Sequence, residues 1–267
     1  MKKKQIGVVG LGVIGSAIKK GFEYIDYDIF YHDINLETSI DNVISSDVCF
    51  ICVPTPSDKL GNCDTSIVES VIVELLKNNY KGLIAIKSTV SPGFTDKMSI
   101  KYNTKNLSFV PEFLRERCAT DDFINNQDLC VIGAYSEVHF NILKEVHGIL
   151  PKSFAFCEPK EAEFVKYFNN VYNATLITFA NSFASICESM NVDYNNVKKI
   201  AVRRNHINDI YLNSSEKLKG FGGMCLPKDT NALSKLAELN CPEIKFFKNI
   251  LDQNEKFKKT VFKGMRL

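Results

Sequence analysis

The sequence predicts an α/β protein: a doubly wound parallel sheet, then one long helix, then a smaller all-helical domain. Three observations predict it. Short apolar runs bounded by turn residues alternate with helix-periodic stretches through the first half. A glycine-rich turn joins the first apolar run to the first helical stretch. From Pro159 to Met190 a helical period runs unbroken, and nothing strand-like follows it. The implied division is 1–157 and 158–267.

Lys4–Val9 reads as the first strand and Ile14–Tyr24 as the first helix. Asp28–His32, Val48–Val53, Gly82–Lys87 and Leu107–Val110 read as further strands, and Asp128–Ile132 and Ser153–Phe156 extend the sheet. Between them Asn35–Ile44, Asp64–Lys77 and Ser136–Leu150 read as helices, which makes the first sheet strands parallel. Pro159 suits the first turn of the long helix, whose apolar residues include Phe164, Phe168, Val171, Phe179, Phe183 and Ile186. Asp193–Val202, Thr230–Leu239 and Phe246–Lys258 complete the helical half.

Composition excludes several classes. The 267 residues are 45% hydrophobic and 24% charged, ordinary for a soluble globular chain. A net charge of +2 leaves no nucleic-acid footprint. No apolar run suits a signal peptide or a membrane span, so a cytoplasmic protein is expected. The nine cysteines form no disulfide framework. Cys49 and Cys52 lie three apart on a strand, on opposite faces, and no metal site is expected.

Gly10-Leu11-Gly12-Val13-Ile14-Gly15 stands between strand and helix, the setting in which G-x-G-x-x-G carries meaning. Gly10 makes the turn, Gly12 admits a pyrophosphate, and Gly15 lets helix and strand pack; Val13 and Ile14 complete the cradle. Asp33 ends the second strand 18 residues later, where a carboxylate accepts from ribose hydroxyls and repels a 2′-phosphate. Together they favour NAD over NADP in a Rossmann-type sheet. Pro54 and Thr55 follow one strand, Ser88 and Thr89 another, and ligands of such sheets bind beyond those strand ends.

In Gly220-Phe221-Gly222-Gly223-Met224-Cys225-Leu226-Pro227-Lys228-Asp229, three glycines in four residues free the backbone to meet a ligand. Cys225 then precedes a helix expected from about Thr230, near Lys228, a setting that favours thiolate. This stretch resembles the active-site signature of the UDP-glucose/GDP-mannose dehydrogenase family. Those enzymes oxidise the primary alcohol of a nucleotide sugar to a carboxylate with two NAD and a covalent cysteine. Pro54–Thr55 with Gly61 and Asp64, and Lys87–Val90, are similar to the family's cofactor-side motifs.

The resemblance implies further roles. Pro111-Glu112-Phe113-Leu114 would be a substrate-side segment, with Glu112 activating water and Glu116 near the nicotinamide. If Glu112 opens a helical turn, Glu116 shares its face. Lys166 and Asn170 match the family's Lys-x-x-x-Asn pair and would stabilise oxyanions. Phe221, Gly222 and Gly223 would line the sugar, and Asp229 with Thr89 would position water. The four histidines (His32, His139, His147, His206) stand in no motif. The long helix would form a homodimer. Nothing after Asn254 matches the family's C-terminal UDP-holding lobe, so a short form is implied, and the longer loop Asn213–Lys219 departs from the family pattern. Two rival readings stay open: a one-step 3-hydroxyacid dehydrogenase, and a non-catalytic NAD- or nucleotide-sugar-binding remnant.

Overall fold

A computed structural model of the chain describes residues 3–58 and 60–258. Seven strands form one sheet: β1 (Ile6–Val9), β2 (Ile29–His32), β3 (Val48–Ile51), β4 (Leu83–Ile86), β5 (Leu107–Phe109), β6 (Cys130–Ala134) and β7 (Phe154–Cys157). Their order is β2-β1-β3-β4-β5-β6-β7, and every pair is parallel except β5 with β6. The doubly wound sheet therefore carries one antiparallel step that the alternation of elements did not signal. Period-two alternation builds both core layers. Val48 and Phe50 of β3 pack with Ile18 and Phe22 of α1 (Val13–Tyr24). Cys49 and Ile51 pack with Val68 and Ile72 of α2 (Ser66–Lys77).

Register places the site. Val9 pairs with His32 and Ile51, Ile51 with Ile86, and Ile86 with Phe109. The next residues, Gly10, Asp33, Cys52, Lys87 and Val110, thus form one row at the carboxyl edge. β1 lies between β2 and β3, so the direction of winding reverses there, the usual ligand position in such sheets.

The elements depart from expectation in three ways. Asn35–Ile44 is not a helix; its ordered part is a 3-10 turn, Ile40–Val43. The Asp33 N–H donates to Thr38 Oγ1 at 3.0 Å and Asp41 N–H to Ser39 Oγ at 3.2 Å, so polar side chains took the backbone partners a helix needs. Two short helices, α3 (Phe94–Lys101) and α4 (Ala119–Asn125), form where the sequence reading assigned no element. The third difference, at the Cys225 helix, belongs to the site.

After α5 (Glu137–His147) the long helix α6 runs Pro159–Ser189. Then come α7 (Tyr194–Ala201), α8 (Leu226–Asn240) and α9 (Phe246–Asn254). The chain forms two compact units. One holds the sheet and ends at Lys166; the other takes the chain from Tyr167 together with the short segment Ser57–Asn62. Within the second, Asn231 Nδ2 donates to Gly61 O at 3.1 Å, and Phe221 packs with Ala174 and Ile250. No helix among the described residues is long and apolar enough to cross a membrane.

Candidate active site

The glycine turn divides its labour. Gly10 has φ +89°, donates its N–H to His32 O at 2.8 Å, and would place a Cβ 2.9 Å from Cys52 O. A Cβ at Gly15 would lie 1.8 Å from Gly10 O. A Cβ at Gly12 would meet nothing within 4 Å. Gly10 and Gly15 are therefore fixed by the fold, whereas Gly12 leaves bare backbone facing open space, the form a pyrophosphate cradle needs. Val13 is exposed beside it and Ile14 is half-buried.

Asp33 reaches back to this turn. Its Oδ2 accepts the Leu11 N–H at 2.6 Å and its Oδ1 the Asn35 N–H at 2.8 Å. The bond from Leu11, then that from Asn35, holds its carboxyl below the usual carboxylate range. It stays ionised and ties the β2 edge to the glycine turn. Ser88 Oγ donates to Val53 O at 2.7 Å and so fastens β4 to β3. Thr89 is half-buried beside it, as is Thr55, while Pro54 is exposed.

Glu112 does not open a helical turn. Residues 111–115 are irregular, the 3-10 turn begins at Glu116, and Glu116 is exposed where Glu112 is buried. The two carboxylates share no face. Lys166 takes Glu112 instead: its Nζ donates to Glu112 O at 2.5 Å and to Oε1 at 2.9 Å. Glu112 Oε2 accepts the Leu114 N–H at 2.7 Å, and Lys166 Nζ lies 5.7 Å from the Phe113 ring centre. The pair is buried and mutually neutralising.

In the second unit Cys225 is exposed and is itself the N-cap of α8. That helix starts at Leu226, four residues earlier than the sequence suggested, because Pro227 fits a first helical turn rather than ending a loop. The thiol thus stands directly at the positive end of a 15-residue helix. Asp229 is fully buried one turn inside. Its Oδ1 accepts Lys228 Nζ at 2.5 Å and its Oδ2 accepts Asn170 Nδ2 at 2.6 Å. Gly222 is half-buried and Gly223 exposed, ahead of the thiol.

Sequence reasoning missed four buried groups. Glu163, on α6, accepts the Gly93 N–H at 2.5 Å, the Thr95 N–H at 2.8 Å and the Thr95 hydroxyl at 2.6 Å, so it caps α3. Burial nonetheless raises its carboxyl. His147 donates Nδ1–H to Leu143 O at 2.8 Å, and its Nε2 faces Lys87 Nζ at 3.4 Å. Burial, then the lysine, pushes His147 down to about 3, and burial lowers Lys87 as well. Asn181 and Asn254 are the other two. None stands in a motif; only the polar residue in an otherwise apolar helical stripe hints at Asn181.

Fold and turn define a Rossmann-type dinucleotide-binding protein with a thiol-bearing helical unit. Comparison with known proteins is specific. Residues 33–150 match the NAD binding domain, and residues 160–256 the central domain, of the UDP-glucose/GDP-mannose dehydrogenase family. The chain belongs to that family. It is 32% identical over 217 residues to a UDP-glucose 6-dehydrogenase of Rickettsia prowazekii, covering 78% of this chain and 49% of that protein. It is 33% identical over 221 residues to UDP-glucose 6-dehydrogenase TuaD of Bacillus subtilis, covering 79% and 47%. The chain thus spans about half the length of the curated relatives it matches. A UDP-glucose dehydrogenase from Pyrobaculum islandicum superimposes with a TM-score of 0.87 at 27% identity, over 96% of this chain and 68% of that one. A 3-hydroxyisobutyrate dehydrogenase of Mycobacterium tuberculosis shares the fold, with a TM-score of 0.77 at 12% identity, over 96% and 94%.

Proposed function

We propose that this chain is an NAD-dependent nucleotide-sugar dehydrogenase that oxidises the primary alcohol of a UDP-hexose to the carboxylate through Cys225. The observation that carries the reading is Cys225 at the N-cap of α8, one turn from the buried Asn170–Asp229–Lys228 network. The family membership and the names of the relatives support it. NAD supplies the hydride acceptor in both oxidation steps. Gly10, Gly12, Val13, Ile14, Gly15, Asp33, Pro54, Thr55, Ser88, Thr89 and Glu116 would bind it, with residues 1–157 as its domain. Residues 158–267 would form the second domain.

The first oxidation takes the CH₂OH carbon to an aldehyde. The Cys225 thiolate then adds to that carbonyl, giving a thiohemiacetal whose oxyanion Lys166 and Asn170 stabilise. The second oxidation gives a thioester. Water, positioned by Asp229, Thr89 and Glu112, adds to it and releases the carboxylate and the Cys225 thiol. Phe113, Leu114, Phe221, Gly222 and Gly223 would shape the sugar's surroundings.

The chain would work as a homodimer through α6. Phe164, Phe168, Tyr172, Phe179, Phe183 and Ile186 are all exposed on it and fall on one helical face. Purified protein with NAD and UDP-glucose is expected to yield two NADH per sugar, and a Cys225→Ala variant none. One NADH per substrate, unaffected by that substitution, would establish the one-step dehydrogenase instead. NAD binding without turnover on any nucleotide sugar would establish the binding remnant.

A further inference from the structure

The peptide that opens the cysteine turn is held by side chains from two helices. Asn254, the last residue of α9, accepts the Phe221 N–H on Oδ1 at 2.8 Å and donates Nδ2–H to Phe221 O at 2.9 Å. Both residues are only 2% exposed. A carboxamide alone among short side chains offers an acceptor and a donor side by side, so it satisfies both backbone groups of one residue. Asn181, also buried, stands behind the preceding residue. Its Oδ1 accepts the Gly220 N–H at 3.4 Å and the Ser214 hydroxyl at 3.2 Å, while Nδ2 is committed to Ile177 O at 2.8 Å.

We propose that Asn254, backed by Asn181, is the positioning residue of the Cys225 thiol: its amide clasps both backbone groups of Phe221 and so holds Cys225 on the N-terminal end of α8. The inference rests on the reading of Cys225 as the nucleophile. Gly222, Gly223 and Met224 separate clasp from thiol, and Gly220 and Gly223 have φ of +65° and +78°. Such a segment has wide conformational freedom, and fixing it costs backbone entropy. α8 anchors its downstream end at Leu226. The Phe221 clasp, its apolar seat against Ala174 and Ile250, and the Asn181 bond to Gly220 hold it upstream. Without the clasp the turn samples states in which the sulfur leaves the helix terminus, and thiolate is favoured less.

The test is the pH profile of Cys225 carbamidomethylation by iodoacetamide, read at the Cys225 peptide by mass spectrometry. It is run on the full chain as wild type, Asn254→Asp and Asn254→Ala, with NAD affinity and melting temperature measured alongside. Asn254→Asp keeps the acceptor and the shape but loses the donor. The wild-type midpoint is expected below that of an ordinary thiol. Both variants are expected to raise it by about one unit and slow the reaction at pH 7 about tenfold, with NAD affinity unchanged. A depressed wild-type midpoint that the variants leave unmoved overturns the clasp and spares the nucleophile. An ordinary midpoint in wild type overturns both. Should the variants not fold, hydrogen exchange of the wild-type Phe221 amide decides: protection beyond the neighbouring turn amides supports the clasp, and exchange as fast as theirs overturns it.

Discussion

At the residue scale the buried pairs carry the sharpest consequences. Lys166 and Glu112 have side chains 4% and 9% exposed and form a buried ion pair. Lys166→Met is expected to cost about 3–5 kcal/mol, since it strands the Glu112 carboxylate, and to abolish turnover. Adding Glu112→Gln removes the stranded charge and should restore much of that stability without restoring activity. Urea melts of the two single variants and the double variant measure this coupling. If the single costs simply add, the pair is not coupled. His147 gives a pH signature. Its folded pKa of about 3 lies below the unfolded value of 6.5, so its contribution is present above pH 6.5 and is lost as pH falls toward 3. Between pH 7 and pH 5 wild type should lose about 2 kcal/mol more than His147→Gln, which cannot take up the proton. Equal losses would refute a neutral buried imidazole. Cys225, Asp33 and the Gly10–Gly15 turn stood out as candidates because the chemistry they suggest is written in adjacent residues. His147 with Lys87 and Glu163 with Thr95 were not, since 60 and 68 residues separate the partners and spacing reports only local neighbours.

At the element scale the strands and the longest helix were readable for one reason, sustained periodicity. The end of the long helix was misplaced by one residue, at Met190 rather than Ser189. Shorter elements failed where polar side chains compete for backbone groups, as Thr38 and Ser39 do ahead of Ile40–Val43. The start of α8 was missed because a proline reads equally as the end of a loop and as a first helical turn. The apolar face of α6 is the surface that the proposed homodimer would bury. Its six large side chains, about half exposed, offer roughly 600 Å² to a partner, close to the ~800 Å² that one side of a stable interface gives up. If the proposed homodimer forms through α6, Phe168→Lys together with Phe179→Lys should convert it to a monomer in size-exclusion chromatography coupled to light scattering, with NAD affinity retained. A dimer that survives both charges would place the interface elsewhere.

At the scale of the whole molecule, family and fold class were legible, whereas the reversal of β6 was not, because strand direction leaves no trace in a strand's own residues. The distribution of glycine constraint connects the fold to its ligand and makes the cofactor reading testable without turnover. A ligand that binds only the folded state adds RT ln(1 + [L]/Kd), about 2.7 kcal/mol at one hundred times Kd, which in a protein this size raises Tm by about 5–11 °C. Gly12→Ala puts a methyl where the fold has open space, so the ligand-free protein should melt within a few degrees of wild type yet lose most of the NAD-induced rise. Gly15→Ala forces a methyl against Gly10 O and should lower Tm even without NAD. Calorimetry of the three proteins with and without NAD separates a glycine kept for the fold from one kept for the ligand. An undiminished NAD-induced rise in Gly12→Ala would mean that the pyrophosphate does not lie against this turn.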